Sequence, residues 1–384
     1  MPTRPPLPRD QFPVADRVCY LDHAGVAAPP TVVAHAIARE ASAATMLGST
    51  GTRRRDERIE EVRATCAGLM GVPPDDLTFV KGSAEALRVV AYGLPWTQGD
   101  RVVLADSEHP ATTHPWMALT ALGVHIDSVA TVGRAWALPL DAFEDVLARG
   151  GGRVRAVVVS WVHYARGWRT DLAALSELAH RHGAIVVVDV VQGLGVLPAQ
   201  LAAWGVDAAF ADGHNYLLGP EGVGLLYLSP TLREELWSPQ VAEPAPLPTA
   251  PARRGVEPAR EHRRFEAGAP NRLGIAGLGA AAELLTGAGM PAVWAYVDGW
   301  CDRLAEGLTE LGATVVSDRT PAGRSAIVTA TFGGTDPGEL TERLVTYGVI
   351  VSGRTDAVRF ASHGWNDDDD LAATLHALRR AWRR

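Results

Sequence analysis

The sequence predicts an α/β protein: a large domain on a mostly parallel sheet with helices on both faces, then a smaller α+β domain at the C-terminal end. Three observations carry this. Ala184–Gly195 (AIVVVDVVQGLG) is a strongly β-branched run, as expected of a strand buried on both faces. Before it, Arg155–Val162 (RAVVVSWV) reads as another strand, followed by an amphipathic helix that begins at Asp171 and ends at Gly183, so strand, helix and strand alternate. The length, 384 residues, is enough for two units with cores of their own.

Taken in order, residues 1–18 read as an extended arm, 19–260 as the large domain and 261–384 as the small one. Cys19–Pro30 is a short strand and a turn, in which His23 either caps the following helix, Thr31–Ala44, or serves a pocket. Asp56–Met70 is a helix ended by Pro73 and Pro74. Leu77–Val80 is a strand, and Lys81–Leu94 opens a helix at Gly82–Ser83. Such a turn offers backbone N–H groups to an anion, although most Gly-Ser helix starts are simply caps. Arg101–Ala105 is a buried strand running into Asp106–Trp116. The loop after Val162 places His163, Tyr164 and Arg166 on the ligand side of the sheet.

Asp189 ends the β-branched run. A buried carboxylate needs a partner, which makes it the strongest site residue legible from the residues alone. Val206–Ala211 is a further strand. It leads into the polar turn Asp212–Tyr216 and, past Gly219, Pro220 and Gly222, into the strand Val223–Leu228; turns at such strand ends are where α/β sheets bind ligands. Glu243–Pro258, with five prolines, reads as a linker or surface loop. Ala292–Leu311, Glu339–Tyr347 and Asp368–Trp382 read as helices, and Ala313–Val316, Ser325–Phe332 and Gly348–Ser352 as strands.

The formal charge of −8 and pI near 5.8 give no reason to expect nucleic acid or an anionic membrane as partner. Three dispersed cysteines, Cys19, Cys66 and Cys301, form no disulfide framework or metal knuckle and suit a reducing cytoplasm. No metal site is expected. The N-terminus lacks the apolar core of a signal peptide, and no run approaches the ~20 apolar residues that span a bilayer. Of the 36 basic residues only Lys81 is a lysine.

Several stretches together resemble the class V aminotransferase and cysteine desulfurase family, of PLP fold type I. Val206–Gly224 (VDAAFADGHNYLLGPEGVG) resembles its Gly-His-Lys segment. There the lysine holds the cofactor as a Schiff base; here Gly213 and His214 are followed by Asn215. The resemblance spans about Tyr20 to Asn366. It implies a phosphate loop at Gly82, Ser83 and Ala84, with Lys81 before it, and a ring-stacking residue at His109. It implies a pyridinium partner at Asp189, a ring-hydroxyl neighbour at Gln192 and a carboxylate anchor at Arg359. His23 falls in a segment that lines the substrate end. Phe265–Asn271 resembles a segment that crosses into a second subunit, with Ala269 where a phosphate-binding threonine is usual, so a homodimer is expected. No cysteine lies near Gly353–Asp356, where desulfurases carry their nucleophile.

The departures fall on cofactor capture: Asn215 removes the imine, Ala84 and Ala269 remove phosphate-binding hydroxyls, and Asp212 places a carboxylate near a phosphate dianion. Three readings follow. The first is an enzyme that kept the pocket and dropped PLP, moving protons with Asp189, His109, His214 or Asp212 on a small carboxylate-bearing molecule held by Arg359, His23, His163 and Gln192. The second holds PLP or PMP without a covalent bond. The third is a non-catalytic binding protein.

Overall fold

The structure, a computed structural model, describes residues 4–237, 262–266 and 268–382. The proline-rich stretch Glu243–Pro258 and the expected boundary at residue 260 lie outside the described residues.

The strands are β1 (Cys19–Tyr20), β2 (Leu77–Val80), β3 (Arg101–Ala105), β4 (His125–Val129), β5 (Val154–Ser160), β6 (Ile185–Asp189), β7 (Ala208–Asp212), β8 (Gly224–Leu228), β9 (Thr314–Val315), β10 (Ile327–Thr331), β11 (Val349–Ile350), β12 (Ser352–Arg354) and β13 (Ala357–Ala361). The helices are α1 (Thr31–Leu47), α2 (Thr52–Met70), α3 (Ser83–Gly93), α4 (Pro110–Met117), α5 (Leu140–Gly150), α6 (Leu172–Arg181), α7 (Pro230–Glu235), α8 (Arg272–Ala288), α9 (Met290–Glu310), α10 (Pro337–Thr346) and α11 (Asp368–Ala381).

Seven strands form the main sheet in the order β2-β8-β7-β6-β5-β3-β4. β4, β3, β5, β6 and β7 run parallel, and β8 is antiparallel to both of its neighbours. The β-branched reading is explained by burial on two sides: Val157 and Val159 of β5 join one apolar core, Ala156 and Val158 the other. β12, β13, β10 and β9 make a second, antiparallel sheet.

Two expectations change. The described residues before Val18 do not form a free extended arm. They make short 3-10 turns, Leu7 and Phe12 are buried, and Phe12 stacks on Trp365 with ring centroids 4.9 Å apart. The sequence parts 19–260 and 261–384 also interleave: β1 pairs in parallel with β11, while α8 packs on α1 and α2. Close packing of α8 depends on glycine, since a Cβ at Gly279 would lie 2.4 Å from Val62 Cγ2. No single described helix is long and apolar enough to cross a membrane.

Candidate active site

The carboxyl ends of β5, β6 and β7 face a cavity of about 230 Å³. It is lined by Ala24, Gly25, Ser83, His109, Ser160, Tyr164, Asp189, Gln192, Asp212, His214, Asn215, Arg354 and Arg359, among others. Residues distant in sequence meet here because a parallel sheet delivers every strand end to one edge.

Asp189 is held at the end of β6. Its Oδ2 accepts the Thr112 hydroxyl at 2.9 Å and its Oδ1 the Val191 N–H at 2.9 Å. Its partners are thus a hydroxyl and an amide, not a histidine. Burial pushes its pKa up to about 6, against the pull of those two hydrogen bonds. Behind it, Glu108 accepts the Ser160 N–H at 2.7 Å and the Ser160 hydroxyl, and burial pushes its pKa up to about 7, with the Asp189 charge adding to the rise. Sequence reading missed Glu108; the available signal was its place just beyond a buried strand, one residue before His109.

At the other end, the first turn of α3 meets β7. Asp212 accepts the Ser83 N–H at 2.8 Å and the Ser83 hydroxyl at 2.6 Å. A side chain at Gly82 would forbid this, since its Cβ would lie 2.6 Å from Asp212 Oδ1. The anion at this helix start is therefore the chain's own carboxylate. Asn215 is buried, and its amide donates to Gly25 O at 2.8 Å and Ala24 O at 3.2 Å. Gln192 donates to Ala24 O at 3.1 Å, leaving its Oε1 buried without a partner. His214 lines the cavity with Nδ1 buried and unpartnered.

His109 lines the cavity and also caps α4, Nδ1 accepting the Ala111 N–H at 3.2 Å. Its ring packs edge-on against Tyr164, and its pKa is lowered by burial and then by Arg354. Arg359 is buried and already paired: Nη2 meets Asp22 Oδ1 at 2.9 Å and Nη1 donates to Tyr164 O at 2.8 Å. The expected carboxylate anchor thus has a carboxylate from its own chain. Arg354, which sequence reading passed over, stands beside it in the lining.

Two expected substrate contacts lie elsewhere. His23 does not line the cavity and does not cap α1, whose N-cap is Pro30. It is fully buried among Tyr20, Tyr216, His363 and Trp365, and burial drives its pKa well down. His163 is turned back into its own loop: Nε2 donates to Ser107 O at 2.9 Å, and Nδ1 accepts the Ala165 and Arg166 N–H groups. Of the expected phosphate group, only Ser83 lines the cavity. Ala84 is exposed, while Lys81 and Ala269 line a neighbouring groove with Glu85, Glu266 and Asn271. Phe265 is buried and Glu266 pairs with Arg63 at 2.7 Å, whereas Gly268, Ala269, Pro270 and Asn271 are exposed.

A parallel sheet covered on both faces, a second antiparallel unit and a polar cavity at the strand ends define an α/β protein of the fold type I class. Within that class the chain belongs to the aminotransferase class V family, whose model matches residues 19–362. A cysteine desulfurase of Klebsiella pneumoniae is 30% identical over 360 residues, covering 89% of this chain and 86% of the relative. The uncharacterized aminotransferase YcbU of Bacillus subtilis is 28% identical, covering 86% and 85%. Among solved structures, the apo cysteine desulfurase of Thermococcus onnurineus NA1 superposes with a TM-score of 0.89 at 23% identity, covering 98% of each chain. The cystine C-S lyase C-DES, solved with cysteine persulfide, superposes at 0.87 with 24% identity, over 97% of this chain and 99% of that one.

Proposed function

We propose that this family member is an enzyme that works without a cofactor imine, moving protons with buried carboxylates on a small, amino-acid-like molecule that bears a carboxylate. The observation that carries the reading is a pair of buried carboxyl groups, Asp189 in the cavity lining and Glu108 bonded to the lining residue Ser160, whose pKa values burial pushes up to about 6 and about 7. Burial raises both pKa values towards neutrality, which suits Asp189 to accept a proton and Glu108 to hold one. Ser160, which lines the cavity and donates its hydroxyl to Glu108, links the inner carboxyl to the site. A base and a partly protonated acid side by side suit elimination, cyclisation, isomerisation or hydrolysis, so lyase or isomerase chemistry is favoured over transamination.

The residues present do not fit PLP as the family resemblance would have it. An imine needs a lysine, and the chain's only lysine, Lys81, lies in the neighbouring groove. Asn215, at the position the resemblance gives to that lysine, is bonded to two backbone carbonyls instead. Asp212 takes both Ser83 donors, so a phosphate there would have to displace a carboxylate of like charge. PLP or PMP held without a covalent bond is the competing reading. It is favoured by Asp189, which stands at the end of β6 where the resemblance puts the pyridinium partner.

The test is proton exchange from D2O into a panel of small amino and hydroxy acids, followed by NMR without added PLP. Exchange by the wild type that disappears in a folded Asp189→Asn variant supports the reading; exchange that requires PLP overturns it. We also propose a homodimer in which the exposed stretch from Gly268 to Asn271 meets the second copy. Light scattering that gives a monomer at micromolar concentration contradicts this.

A further inference from the structure

We propose that the groove between the end of β5, the start of α6 and the β9–β10 connection is a second binding site, for a small aromatic carboxylate. The site is independent of the proposed function and of the strand-end cavity. Neighbouring residues of an extended chain face opposite ways. At the end of β5, Ser160 lines the strand-end cavity and Trp161 lines a groove of about 340 Å³. No residue lines both. Thr170, Pro198, Trp204 and Ala322 complete most of the groove wall. Its volume lies in the range of small-molecule pockets, roughly 300–1,000 Å³.

The apolar part of the groove is indole. Trp161 and Trp204 meet with ring centroids 5.4 Å apart and planes inclined at 58°. Trp161 is buried and Trp204 half-buried, so Trp204 keeps ring surface open to a ligand. Such a ring favours a flat aromatic partner.

The charged part is Arg169. Its Nε donates to Ala322 O at 3.2 Å and its Nη2 to Pro321 O at 2.6 Å, so neutral carbonyls fix the guanidinium in place. No carboxylate among the described residues forms an ion pair with it. Asp298 is taken by Arg319 and Arg324, and Asp171, which also lines the groove, caps α6 by accepting the Ala174 N–H at 3.1 Å. Burial, and then the charge of Arg324, lower the pKa of Arg169. A half-buried guanidinium held in position without a counter-charge is stabilised by an anion from outside the fold. Beside indole rings, the anion that fits is one carried on a flat apolar body.

Ligand-observed NMR titration of the full chain with phenylacetate, phenylacetamide and acetate tests this. Phenylacetate is expected to bind at least about tenfold more tightly than either of the others, the scale of one charge-assisted contact or one buried ring. Arg169→Gln should erase the preference over the amide with circular dichroism unchanged. Arg169→Lys, which keeps the charge but loses the fork, should retain part of it and serves if Arg169→Gln does not fold. Trp204→Leu should weaken phenylacetate by about threefold or more, the scale of one aromatic pair. Arg354→Gln, in the strand-end cavity, should leave its binding unchanged. No detectable binding of phenylacetate, equal binding of phenylacetate and either control, a preference that survives Arg169→Gln, an affinity untouched by Trp204→Leu, or a loss in Arg354→Gln would each overturn the proposal.

Discussion

The two ends of the cavity have treated their polar groups in opposite ways. At the α3 end Ser83 gives both donors to Asp212, and Asn215 gives its amide to Ala24 and Gly25. At the β6 end two carboxyl groups are held in surroundings that raise their pKa values, with burial outweighing the hydrogen bonds they receive. Internal satisfaction is what a structural polar group looks like, whereas a carboxyl kept where its charge is disfavoured is what a working acid or base looks like. On the proposed function, the proton-moving groups are those at the β6 end of the cavity.

The largest effect that would break this comparison belongs to Asp189→Asn. Loss of a general base lowers turnover by about 100-fold or more, and a folded variant within a few-fold of wild type would remove Asp189 from the chemistry. The same variant should be more stable than wild type at pH 8. Its folded pKa, about 6, lies above the ordinary 3.8, so its contribution to stability is complete below that ordinary value and is lost as pH rises through the folded one. The stability difference, read from urea melts at pH 4 and pH 8, should approach about 3 kcal/mol. Glu108→Gln should remove the corresponding loss for Glu108, which builds up between pH 4.5 and about 7.

Next in size, Asn215→Lys should form an imine band with added PLP but only weakly, because Asp212 still fills the Ser83 donors. Adding Asp212→Ser should tighten PLP by about tenfold, the order of one charge-assisted contact, and neither change should improve the native reaction. A smaller effect is expected for Asn215→Ala, which leaves two carbonyls without their donor; a loss of about 1–2 kcal/mol in urea melts is expected. Smallest of all, Lys81→Arg should change stability by less than about 0.5 kcal/mol, and borohydride treatment of the wild type with PLP should not label Lys81 stoichiometrically.

How much could be read beforehand follows from burial. β5 and β6 were legible because both faces are covered, so β-branched residues run without interruption. β4 carries polar residues at the sheet edge and was not assigned, nor was the amphipathic α5 that follows it. α8 was not assigned either: its glycines, which allow close approach to Val62 and Ile37, weaken helix propensity. Within the site, Asp189, Asp212 and Asn215 stood out because they sit at or just past strand ends. Glu108 and Arg354 did not: Glu108 shares that position just beyond a strand but is marked chiefly by its burial, and Arg354 by its place in the cavity lining, both tertiary facts.

The central claim is that the pocket works without a cofactor imine, and the most direct measurement is the absorbance of the purified protein between roughly 330 and 420 nm, the region of such cofactors, before and after incubation with PLP and gel filtration. The account predicts no band in the protein as purified and none retained after filtration. A stoichiometric band, or activity that depends on added PLP, would contradict it.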